Sequence, residues 1–68
     1  MNIDLAKIEF EKHSKEPIEL KEFGGALYAF GSELACLRLD KVYRNCGDRA
    51  DSGFSKNFNS WYFRLETL

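Results

Sequence analysis

Few residues in this chain could do chemistry: one histidine, His13, two cysteines, Cys36 and Cys46, and the polar run "CGDRADSGFSKN". Any Ser-His-Asp or Cys-His dyad would have to use His13. That residue sits beside Lys12 and Lys15 near the end of a helix-like segment, where an imidazole gains from the helix dipole without any catalytic task. A zinc site is no better supported, because Cys36, Cys46 and His13 lack the close paired spacing with which a chain segment grips a tetrahedral ion. In the polar run, Gly47 and Gly53 stand too far apart for a phosphate-cradling loop, and Ser55-Lys56 reverses the required order. Asp48 and Asp51 are spaced three apart rather than alternating as calcium ligands do. They flank Arg49, which favours a local ion pair or an Asx turn. The expectation is no catalytic residue, no metal and no cofactor: the chain is read as a non-enzyme.

Binding remains. The first 34 residues carry four Lys against seven Asp/Glu, a net of -3, and the last 34 carry six basic against four acidic residues, a net of +2. All four arginines lie in the second half, as Arg38, Arg44, Arg49 and Arg64, together with Lys41 and Lys56. Interleaved with Tyr43, Phe54, Phe58 and Tyr62, they compose a set on which single-stranded nucleic acid can stack and slide. Against that stands a formal net charge of only -1 and a pI near 5.7, which give little long-range attraction for phosphate.

The elements that must position these groups follow from spacing. With 68 residues the chain allows one small domain, spanning 1–68, and a core so small that each apolar residue is structural before it is anything else. "NIDLAKIEFEKHSKEP" predicts a helix capped by Asn2 and stopped before Pro17. "PIELKEFGGALYAFG" predicts a hairpin turned at Gly24-Gly25, with Ile18, Leu20, Leu27 and Ala29 on one face and Glu19, Lys21, Tyr28 and Phe30 on the other. "GSELACLRLDKVYRNCG" predicts a second helix, with Ser32 as N-cap and Gly47 past the end. It gathers Ala35, Cys36, Leu39, Val42 and Tyr43 within about 120° and leaves Leu34 and Leu37 outside. A strand over 33–45 is the alternative. Residues 46–60 read as loop, and "SWYFRLETL" as a strand with Trp61, Phe63 and Leu65 to one side and Tyr62 and Arg64 to the other.

The predicted fold is therefore α+β, in the order α-β-β-α-β: a three-stranded, largely antiparallel sheet with two helices on one face. The alternative, with 33–45 as strand, is a helix plus a four-stranded meander. No apolar run approaches the length of a membrane span and acidic residues begin at Asp4, so a cytoplasmic protein without membrane contact is expected. Two cysteines make no disulfide framework, and both are expected as free thiols with Cys36 buried.

Tyr28, Phe30, Tyr62 and Arg64 then share the sheet face that no helix covers, beside a long loop carrying Arg49, Phe54, Ser55, Lys56, Asn57 and Phe58. Tyr and Arg are the residues that anchor interfaces, and contiguous exposed apolar area marks them. The reading is a module that binds another protein through these ten residues, with self-association as a further way to cover the face. The alternative is a single-stranded nucleic-acid module. Chains of this size without catalytic signature are commonly accessory or inhibitory proteins, bacteriophage-encoded ones among them.

Overall fold

The computed structural model describes residues 2–67. The order is α1 (Ile3–Ser14), β1 (Glu19–Phe23), β2 (Ala26–Gly31), α2 (Glu33–Asn45), β3 (Ala50–Ser55) and β4 (Ser60–Glu66). The four strands form one antiparallel sheet in the order β1-β2-β4-β3. An α-β-β unit thus occurs twice in the chain, and the innermost strand pair, β2 with β4, joins the two units.

Both helices start and stop for local reasons. Asn2 Oδ1 accepts from the N–H groups of Asp4 and Leu5 at 2.9 and 3.3 Å, and Ser32 Oγ from Ala35 N–H at 3.1 Å. At the end of α2, Gly47 adopts φ +86°, its N–H donates to Arg44 O at 3.0 Å, and Asp48 N–H donates to Tyr43 O at 3.1 Å. This is the paired arrangement that a left-handed residue allows at a helix end. The β1–β2 hairpin turns where expected, with Gly24 and Gly25 at φ +50° and +80° and Phe23 paired to Ala26.

Both helices cover the same sheet face. Ala6 and Phe10 of α1 and Ala35, Cys36, Leu39 and Tyr43 of α2 pack with Ile18, Leu27, Ala29, Phe63 and Leu65. The periodicity of "ELACLRLDKVYRN" reads correctly, and Leu34 and Leu37 remain exposed as their angles require. A polar staple holds α1 against the start of β1 and against α2. Glu11 Oε2 accepts from Ile18 N–H at 3.1 Å, Ser32 Oγ donates to Glu16 Oε1 at 2.7 Å, and Arg38 Nη1 donates to Ser14 O at 2.9 Å.

The strand count needs correcting. The sheet has four strands, not three, and the additional one is Ala50–Ser55, inside the stretch read as loop. The four-stranded alternative has the count but assigns it to 33–45, which are helix. "ADSGFS" carries little intrinsic strand preference, so its pairing decides the matter. Ala50 to Ser55 pair in unbroken register with Leu65 to Ser60, and Ser52 Oγ donates to Asp40 Oδ2 of α2 at 3.0 Å. The same carboxylate accepts from Arg44 Nε at 3.0 Å. A small, largely polar strand is thereby tied to a helix by one aspartate, in addition to the packing of Ala50 on the core.

The two thiols are free, with Cys36 fully buried and Cys46 exposed. Burial pushes the Cys36 thiol up to about 11, so it stays protonated and inert. Near neutral pH, Cys46 should alkylate in the native protein and Cys36 only after unfolding; rapid reaction of both would contradict the packing. Folding favours the protonated thiol, so its contribution is complete below the ordinary value of 9.0 and is lost as pH rises to about 11, visible as falling urea midpoints across that interval.

Candidate functional site

The sheet face away from the helices is aromatic because period two delivers it so. Cross-strand register aligns Lys21 with Tyr28, Tyr28 with Arg64, Phe30 with Tyr62 and Gly53 with Tyr62 on that face. Tyr28 and Phe30 stack with centroids 6.3 Å apart, and Tyr28 and Tyr62 stand 6.1 Å apart. Arg64 Nε donates to Tyr28 Oη at 3.1 Å, and this bond is the main reason its pKa is raised.

The β3–β4 turn adds a ring from outside the strands. Lys56 to Asn59 form a four-residue connection with Asn59 at φ +50°, and Phe58 N–H donates to Ser55 Oγ at 3.3 Å. This folds Phe58 back over the sheet, 4.8 Å from Phe30 and 6.2 Å from Phe23. Phe23, Tyr28, Phe30, Ser55, Phe58 and Tyr62 line a concavity of about 230 Å³. Lys21 Nζ lies 5.4 Å from the Phe58 centroid and 6.0 Å from that of Phe30, so a cation stands at the rim.

Of the ten residues expected from the sequence, the structure brings together Tyr28, Phe30, Ser55, Phe58, Tyr62 and Arg64. Lys56 and Asn57 are exposed in the turn beside Phe58, without a side-chain bond among the described residues. Phe54 points to the helix side: it pairs with Trp61, ring centroids 6.0 Å apart, and does not line the concavity. Arg49 is exposed just before β3, where its carbonyl accepts from Glu66 N–H at 3.0 Å, and it too lies outside the lining. Neither an ion pair at Arg49 nor an Asx turn at Asp48 or Asp51 forms among the described residues. The missed members are Phe23 and Lys21, although the alternation that places Tyr28 outward runs on through both.

Comparison with known protein families, with curated proteins and with solved structures finds no match to this chain. The site therefore stands on its geometry. One contact within it explains a glycine. A Cβ on Gly53 would meet the Tyr62 ring at 3.3 to 3.5 Å, so β3 supplies a flat seat for that ring. Gly53→Val should cost about 1–3 kcal/mol by forcing the ring aside, and distinctly less in a Tyr62→Ala background. Urea unfolding of the four proteins in that cycle checks it; equal costs in both backgrounds would mean that the glycine serves the backbone.

Elsewhere the described residues hold no group of three or more His, Cys, Asp or Glu placed to ligate a metal, and no helix long and apolar enough to cross a membrane.

Proposed function

We propose that this chain is a non-catalytic protein-binding module, of the accessory or inhibitory kind, that receives an apolar side chain of its partner in the aromatic concavity on its outer sheet face. The observation that carries this is the position of Phe23 and Phe58, 46% and 48% exposed, at the mouth of a cleft walled by three further rings. A 68-residue domain needs its apolar surface inside, and rings held in water on a face no helix covers are favoured only where something else covers them. Lys21 and Arg64 stand beside the cleft, each with a carboxylate of the same face near it: Glu19 Oε1 lies 4.0 Å from Lys21 Nζ, and Asp51 pairs with Arg64 across the strands. The partner segment is an apolar anchor, beside which Arg64 offers the remaining donors of its planar fork.

The nucleic-acid reading keeps Lys56 and Arg64 beside Phe58 and Tyr28, but it is weakened because three of its six basic residues are separated from the rings. Arg38, Lys41 and Arg44 lie on α2, across the sheet from the rings, and Arg38 and Arg44 are already engaged with Ser14, Glu16 and Asp40. A photo-crosslinking residue at position 58, compared with one at position 37 on α2, tests the proposal in nuclease-treated source lysate. A discrete protein adduct at 58 and none at 37 is expected. Equal labelling at both positions, or an adduct that disappears with nuclease, would overturn it.

A further inference from the structure

We propose that the open edge of β3 pairs antiparallel with β3 of a second copy of this chain, Ser52 opposite Ser52, and that the Tyr62 hydroxyl of each copy donates to Asp51 of the other. Strand β3 stands at one end of the sheet, so one side of its backbone faces no strand. Register decides which groups those are. Glu66 N–H donates to Arg49 O at 3.0 Å, in line with the pairing of Ala50 to Leu65, so Asp51, Gly53 and Ser55 turn their N–H and C=O groups to β4. Those of Ala50, Ser52 and Phe54 point outward, and none takes a partner among the described residues.

The two ends of the sheet are not alike. At β1 the same alternation turns Ile18, Leu20 and Glu22 outward, and Glu11 Oε2 already takes the Ile18 N–H at 3.1 Å. Glu19, Lys21 and Glu22 add charge along that edge. Strand β3 has none of the devices that keep sheet edges apart: no proline, no lysine or arginine, and no bulge in its register.

A two-fold axis through an antiparallel pair sets residues of the same face opposite one another, which leaves few registers. With Ser52 at the axis, the outward set Ala50, Ser52 and Phe54 maps onto itself and every group in it gains a partner. Phe54, 50% exposed, then lies against Ala50 of the second copy at both ends of the seam. Moving the axis to Asp51 would oppose two carboxylates, and moving it to Gly53 would set Ala50 against Lys56, past the end of the strand.

The outer face makes this register specific. A Cβ on Gly53 would stand 3.3 Å from Tyr62 Oη, so that hydroxyl hangs over β3 beside the open edge, without a hydrogen-bond partner among the described residues. Pairing about Ser52 brings the exposed Asp51 of the second copy opposite Gly53 and within reach of the hydroxyl. A phenol donating to a carboxylate makes a charge-assisted bond, and the symmetry repeats it. Near the axis, Asp40 holds Ser52 Oγ and is balanced by Arg44 at 3.0 Å, so no bare like charges meet there. Phe23, Phe30 and Phe58 take no part in the seam, and the aromatic concavity stays open.

The seam is short, well under the roughly 800 Å² per partner of a stable interface, so a dissociation constant on the order of 0.1 mM is expected. Sedimentation equilibrium and amide hydrogen exchange of the purified chain, from about 5 µM to about 1 mM, test this. Dimer mass should appear as concentration rises. Exchange at Ala50, Ser52 and Phe54 should slow severalfold with it, while Asp51, Gly53 and Ser55, already bonded to β4, stay unchanged. Tyr62→Phe keeps the ring on Gly53 and removes only the hydroxyl; it should weaken dimerisation about threefold to tenfold without lowering the melting temperature of the dilute protein. Phe54→Lys, at an exposed position, should weaken it about tenfold or more. The proposal is overturned by a chain that stays monomeric at the highest concentration, by protection that falls on β1 instead, or by a Tyr62→Phe variant that dimerises as the parent does.

Discussion

Phe63→Ala should leave the domain unfolded or nearly so at room temperature. Phe63 is fully buried at the centre of β4, with ring centroids 5.5 Å from Phe10 and 5.6 Å from Tyr43. It is the ring that both helices share, and its removal leaves a hole that two helices and a strand cannot all close. Truncating such a residue costs about 3–5 kcal/mol. A domain of this length has a total stability of about 3–10 kcal/mol. Circular dichroism should show a lost or strongly lowered thermal transition, while Leu37→Ala, at an exposed position of α2, should change stability by no more than about 0.5 kcal/mol. A folded Phe63→Ala with a melting temperature near that of the parent would mean that the core is not organised around this ring.

Phe23→Ala combined with Phe58→Ala should abolish partner capture while the fold survives. Hot-spot rings at the centre of an interface cost about 2 kcal/mol or more each on truncation, on the order of thirtyfold or more in affinity per ring. The structure determines which rings to remove. Tyr62 lies over Gly53, and Arg64 bonds to Tyr28, so changing either disturbs the sheet along with the surface. Phe23 and Phe58 sit at the rim, in a hairpin end and a turn, and their loss should lower the melting temperature by only a few degrees for a domain this small. Capture retained by the double variant would place the interface elsewhere. Phe54→Ala, on the opposite face, is the matched control.

Much of this architecture is legible in the residues because local rules and tertiary packing agree. Asn2, Ser32 and Gly47 mark helix ends by side-chain and backbone chemistry that needs no tertiary partner, and Gly24-Gly25 specifies its turn in the same way. The outward set Tyr28, Phe30, Tyr62 and Arg64 follows from period two alone. What was not legible is β3, where "DSG" argues for loop and only pairing with β4, the seat beneath Tyr62 and the Ser52–Asp40 bond argue for strand. The side on which Phe54 stands was hidden for the same reason, since a loop has no faces and a strand has two. A second cleft on the helix side could not be read either: its lining residues Asn2, Glu9, Asp48 and Leu65 become neighbours only when α1 lies across the end of α2.

The twofold occurrence of α-β-β has a consequence for how the chain reaches this state. Within each half, the strands pair across a turn of two or four residues, so their closure costs little loop entropy and can occur on the microsecond scale. The seam between the halves joins Ala26 to Glu66 and Phe30 to Tyr62, positions 40 and 32 residues apart, and must wait for two formed hairpins to find one another. That seam also buries Leu27, Ala29, Phe63 and Leu65. The slow step of folding and the burial of the central core are therefore one event, and until it is complete each half presents an open strand edge, on β2 or β4, that a second copy of the chain could occupy in its place.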